Sequence, residues 1–285
     1  MRNVLCAIFT LAFSLLWAQP NTEVYLLHLK ADDTGISLSD LVNISNNHGY
    51  DNQPSFIGDS LVLYTSTRDN QTDVVLYRIK DQDKTWIAAT EQGSEYSPLK
   101  IPEQEAVSAI RLDKDGTQLL YRYDLKSGAP NVLLNDLKVG YHVWYNTHML
   151  ISSVLVEDRM DLVVSNLKDN SNHVVQKNVG RSLHRIPNSD LVSFIGKEQD
   201  EWEIKSLNPI TGATDKITHM IPKSQDICWL ANGTILIGSG NRLLKFDPKT
   251  DSDWIVVQTF SQKGIKNITR LSVNSANTLL ALVAE

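Results

Sequence analysis

YDNQPSFIGDSLVLYTSTRDNQTDVVLYRIKDQDKTWIAAT, running from Tyr50 to Thr90, decides how the chain is read. Residues 54–57 are a short apolar run. Gly58-Asp59 then reverses the chain, because glycine reaches positive φ and aspartate bonds its own backbone. Residues 61–65 and 74–79 are rich in β-favouring side chains and are separated by the polar break 68–72; residues 86–89 follow a second break at 80–84. The stretch therefore predicts four short strands in about forty residues. One four-stranded sheet with apolar residues on both faces cannot bury them alone, so the unit has to be repeated.

The rest of the chain repeats it. Units open near residues 95, 139, 179 and 224, each with four apolar runs and turn residues at matching places: Pro187-Asn188-Ser189 and Asn232-Gly233 between first and second strands, Asn208 to Gly212 and Asp247 to Thr250 between third and fourth. Two more runs, 268–273 and 278–283, follow the fifth unit, and two runs, 24–29 and 38–44, precede Tyr50. Joined, these halves make a sixth unit and remove a free sheet edge. The expected fold is an all-β six-bladed propeller of four-stranded blades, with the last blade closed by N- and C-terminal strands. An irregular sandwich has no reason to leave half a repeat at each end.

Ahead of this series, Arg2 precedes an apolar segment from Val4 to Trp17 that ends at Ala18-Gln19-Pro20. This is the pattern of a secretory signal peptide over 1–18, which leaves a single propeller domain over 19–285 in the periplasm or outside the cell. No later stretch is apolar enough to span a membrane. Cys6 falls in the leader and leaves Cys228 alone, so no intramolecular disulfide is expected; Cys228, within Ile227-Cys228-Trp229-Leu230, reads as a small buried hydrophobe. With 27 basic and 33 acidic residues the chain carries a net charge of −6, and its lysines and arginines are scattered; this excludes a phosphate-tracking, nucleic-acid-binding surface.

The segments 52–79 (NQPSFIGDSLVLYTSTRDNQTDVVLYRI) and 94–102 (SEYSPLKIP) resemble the repeats of TolB-like six-bladed propellers. The first blade matches well, the second in part, and the others in spacing and turn type. The resemblance implies an envelope or periplasmic protein that binds a partner protein or a small ligand at the mouth of its central channel. Members with an added N-terminal α/β domain need more chain than stands ahead of Tyr50, so the resemblance covers the propeller alone.

Residues that open first strands in different blades become neighbours in a propeller. Asn52, Tyr96, His142, His184 and Asp226 are therefore the expected ligand- or partner-binding residues, with Asp51, Glu95 and Arg181 beside them at the channel mouth. No His, Cys or carboxylate set has metal-ligand spacing and no G-x-S-x-G occurs, so no catalytic residue, metal or cofactor is assigned. The alternative is a metal-dependent lactonase-type hydrolase with carboxylates converging on the channel. Trp86, Trp144, Trp202, Trp229 and Trp254 are expected in the core between blades.

Overall fold

A computed structural model describes residues 20–32, 35–88, 90, 91, 93–260 and 265–285; the expected leader and Cys6 lie outside them. The strands are β1 (Glu23–Asp32), β2 (Gly35–Asn43), β3 (Asn52–Ile57), β4 (Leu61–Arg68), β5 (Gln71–Arg78) and β6 (Asp83–Ala88). They continue as β7 (Gly93–Lys100), β8 (Ala106–Asp113), β9 (Gln118–Asp124), β10 (Pro130–Leu134), β11 (Val139–Trp144), β12 (Met149–Val156), β13 (Arg159–Asn166) and β14 (Ser171–Gln176). The remainder are β15 (Val179–Arg185), β16 (Val192–Gly196), β17 (Glu203–Leu207), β18 (Thr214–His219), β19 (Ile227–Trp229), β20 (Ile235–Ser239), β21 (Arg242–Phe246), β22 (Ile255–Thr259), β23 (Ile268–Val273) and β24 (Leu279–Ala284).

They form six antiparallel four-stranded sheets, which are six blades in a ring. Five blades are meanders in chain order, and the sixth has the order β2-β1-β24-β23. The C-terminal strands supply its inner half and the N-terminal strands its outer half, joined where Leu26 faces Ala281 and Leu27 faces Leu280. That junction is the ring closure expected from the two half-units. Among the described residues no helix is long and apolar enough to cross a membrane.

Alternation along each central strand sends side chains into two different seams. Val62 and Tyr64 pack against Val24, Ala281 and Val283 of the sixth blade, whereas Leu63, between them, packs against Val107, Ala109 and Tyr121 of the second. The same logic places Ile110 and Leu120 against Leu150, Ile151 against Phe194, Ile195 against Ile237, and Leu236 against Leu282. Each core cluster is thus a seam between neighbouring blades. Cys228 is buried in the seam between the fifth and sixth, with its thiol pushed up by burial.

Polar pairs cross the seams as well. Trp144 Nε1 donates to Ser108 Oγ at 2.9 Å, and Trp229 Nε1 donates to Ser193 Oγ at 2.8 Å, each from the first strand of one blade to the second strand of the blade before. The tryptophans are not all core, however. Trp86 lies on the outermost strand β6, is 36% exposed, and carries the Arg68 guanidinium 4.6 Å above its ring. An outermost strand has a neighbour on one side only, so its large side chains are sheltered by long polar ones.

The hairpin tips on the lower face clasp each other. Asp59 accepts hydrogen bonds from Asn274 Nδ2 (2.9 Å), Ser275 Oγ (2.8 Å) and the Ala276 N–H (2.9 Å), tying the first blade to the sixth. These bonds hold its carboxyl below the usual range. Asn277 Oδ1 in turn accepts from the Ala231 N–H at 2.8 Å, and Asn188 Nδ2 donates to the Ala231 carbonyl at 2.8 Å. A residue read from sequence as a local turn former acts here between blades.

Candidate channel site

The innermost strands β3, β7, β11, β15, β19 and β23 line the axis. In all of them but β19 the pairing with the second strand shifts register, which marks a bulge facing the channel. Bulges re-aim side chains and are frequent beside functional sites. In the first two blades the bulge sits on the repeat motif itself: Gln53 (φ 58°) and Ser97 (φ 52°) are left-handed, immediately before Pro54 and Pro98. The two motifs brace each other. Gln53 Oε1 accepts from the Ser97 N–H at 2.7 Å and from Thr65 Oγ1 at 3.0 Å, and Ser55 Oγ donates to the Pro98 carbonyl at 2.6 Å.

Two cavities occupy the channel, one above the other. The upper one, about 500 Å³, opens among the segments that enter the first strands and is lined by Tyr50, Asn52, Arg181, Lys223, Asp226 and Thr269, among others. The lower one, about 90 Å³, lies deeper along those strands, among Ser97, Tyr141, His142, His184 and Arg270. Arg181 and Asp226 border both.

At that waist Asp226 is gripped from two sides. Arg181 Nε donates to its Oδ2 at 2.5 Å, and an Arg270 terminal nitrogen donates to its Oδ1 at 3.1 Å. Arg181 also donates to the Thr269 carbonyl at 3.0 Å. Arg270, only 9% exposed, lies with its guanidinium 5.1 Å from the centre of the Tyr141 ring. Tyr50 and Tyr96 meet edge to face, 6.4 Å apart with their planes at 66°. Burial pushes the Tyr50 hydroxyl up to about 12, against the pull of Arg270 and Arg181.

Of the expected site residues, the fold brings Asn52 and Asp226 to the upper cavity, His142 and His184 to the lower one, and Tyr96 against Tyr50 at the rim. His142 Nε2 is 2.7 Å from Ser108 Oγ, and His184 Nε2 is 3.0 Å from Ser182 Oγ. Burial lowers the two imidazoles to about 3 and about 4, so both are neutral at pH 7. Asp51 and Glu95 are drawn away from the channel instead. Asp51, pushed up to about 6 mainly by burial, accepts from Ser66; Glu95 accepts from Thr90 and, at 3.0 Å, from Tyr123 Oη.

Sequence reading missed Tyr50, Tyr141, Thr269 and Arg270. Tyr50 and Tyr141 stand one or two places from the residues chosen, and Arg270 occupies the matching position of the sixth blade. Aligning all six first strands by register would have found them.

A divalent cation, which the hydrolase alternative requires, does not suit this donor set. Among the described residues no three His, Cys, Asp or Glu side chains come together, and the single channel carboxylate already serves two guanidiniums. A cation there would face two fixed positive charges.

No protein-family model matches the chain, and no curated protein matches it. Solved structures do. A provisionally assigned TolB from Agrobacterium tumefaciens is similar with a TM-score of 0.70 at 9% identity, over 93% of this chain and 98% of that one. A gluconolactonase from Xanthomonas campestris gives 0.66 at 11% identity, over 94% and 97%. TolB from Acinetobacter baumannii gives 0.60 at 12% identity over 93% of this chain, which spans 64% of that protein. At such identities the likeness concerns architecture. The chain has the six-bladed propeller fold of TolB-like structures, a fold it also shares with a lactonase.

Proposed function

We propose that the protein is an exported, non-catalytic binding module that receives a partner protein of the envelope or periplasm, or a small ligand, at the upper mouth of its channel. One observation carries the reading: a 500 Å³ cavity opens over a charged floor formed by Arg181 and Asp226, with Tyr50 and Asn52 in its wall. Concave sites of this size with a few convergent polar groups are where propellers and other folds take ligands. The donor set described above supports binding over metal-assisted hydrolysis. The apolar leader expected over 1–18 supports export.

The test is affinity capture by the tagged protein from a cross-linked envelope extract, run beside an Asn52→Ala/Tyr96→Ala variant whose melting temperature matches wild type. A dominant partner retained by wild type and lost by the variant supports the reading. Equal retention moves the site off the mouth. Lactone hydrolysis that depends on added calcium or manganese would replace binding with catalysis.

A further inference from the structure

We propose that the channel recognises a carboxylate group, held by Arg181 and Arg270 at the waist between the two cavities, with the Thr269 hydroxyl beside it. The inference rests on the binding-module reading and specifies the chemistry of its ligand.

The first argument is charge. Two guanidiniums and one carboxylate meet at the waist, and the histidines below them are neutral, so one positive charge is left over where Arg270 is almost wholly buried. An arginine cannot shed its proton to relieve this. A buried charge without a partner is costly, and one monoanion would balance the site.

The second argument is hydrogen bonding. Each guanidinium carries five N–H donors in a planar fork suited to carboxylate oxygens. Asp226 and the Thr269 carbonyl take three bonds from the two, and Tyr141 takes a further one from Arg270. Donors remain. Thr269 Oγ1, on a residue lining the upper cavity, is buried with no partner, and so are Ser97 Oγ and His142 Nδ1 on residues lining the lower chamber. Buried polar atoms are rarely left so, and three of them beside the two chambers leave hydrogen-bonding capacity for a polar guest.

The third argument is surroundings. Lys223 adds positive charge at the upper rim, while the acids of the adjoining groove, Glu157 and Asp158, stand with Arg159 and Lys197. Tyr50 in the wall of the upper cavity and Tyr141 in that of the lower offer aromatic surface to whatever carries the acid.

The experiment titrates wild type with succinate and with succinamide, and with an N-acetylated dipeptide bearing a free or an amidated C terminus, at constant ionic strength, by calorimetry and melting temperature. Saturable binding of the acids and at least tenfold weaker binding of the amides is expected; which acid binds better separates a small metabolite from a protein tail. Arg181→Gln should lose at least tenfold in affinity. Thr269→Val, which leaves every charge in place, should lose several-fold and serves if the arginine variant does not fold.

Amides binding as well as acids, inorganic phosphate binding in place of carboxylates, or undiminished binding by Thr269→Val would overturn the proposal. If wild type retains an envelope partner through Asn52 and Tyr96 while no acid binds, the binding-module reading stands and the carboxylate inference falls. If acids bind and no partner is retained, the inference stands and the protein-partner half of that reading falls.

Discussion

Two regions of this propeller bury an unbalanced set of charges, and they resolve the imbalance in opposite ways. At the seam between the first and second blades, Asp73 and Glu95 are both fully buried side by side, and Arg68 Nε stands 3.0 Å from Asp73 Oδ2, leaving Glu95 without a cation among the described residues. The excess there is acid. Burial foremost, with Asp73 beside it, pushes the Glu95 carboxyl well above its ordinary range, so it keeps a proton, and Thr90 and Tyr123 bond it. At the channel waist the excess is guanidinium, around Asp226. A carboxylate neutralises itself by taking a proton from water; an arginine has no such route and needs an anion from outside. The same burial therefore makes a structural seam in one place and a candidate binding site in the other.

The largest test of this contrast removes the channel carboxylate. Asp226→Asn leaves two guanidiniums without their anion and should lower stability by about 3–5 kcal/mol in denaturant unfolding. A loss below about 1 kcal/mol would mean that the waist is better solvated than its burial implies. In the channel proposal, succinate should restore part of that loss.

The seam makes a prediction in pH. Asp51, at about 6, and Glu95 are raised above the 3.8 and 4.5 of an unfolded chain, so the native state holds extra protons. Their contribution to stability is complete below about pH 4 and drains as pH rises through 6 and beyond, by several kcal/mol between about pH 4 and 8. Glu95→Gln keeps a neutral side chain of the same shape and should flatten most of this slope. A variant as steep as wild type would show that Glu95 is ionised in the native protein.

A smaller control separates charge from ordinary hydrogen bonding. Trp144→Phe keeps an aromatic ring in the seam but removes the bond to Ser108 and part of the buried volume, and should cost about 1–3 kcal/mol without changing the pH slope. Trp229→Phe, which breaks the equivalent bond to Ser193, should cost a similar amount. Values that differ by several-fold would show that the repeated contact is not energetically repeated.

The candidate site was legible in part. Asn52, Tyr96, His142, His184 and Asp226 were reached by asking which residues open first strands, and all five stand at the cavities or their rim. Asp51 and Glu95 satisfy the same rule yet turn into blade seams, because successive residues of a strand face opposite ways, Glu95 pairing with Arg111 in the same register as Tyr96 with Ile110, and a neighbouring Ser66 or Tyr123 supplies a hydroxyl. Opening a first strand does not by itself state which face a residue takes; the alternation of the strand does. Trp86 failed for a different reason: its strand is the outermost of its blade, with no further strand beyond it.

The sequence by itself determined the blade count, the split sixth blade and the seam-forming alternation of Val62, Leu63 and Tyr64, because strand pairing between adjacent segments is written in local periodicity and turn residues. The tertiary structure alone decided that Arg181, Asp226 and Arg270, about 45 residues apart in the chain, share one waist, and that Asp59 binds the hairpin of Asn274 to Ala276. Those contacts join different blades, so they exist only once the ring has closed through the pairing of β1 with β24.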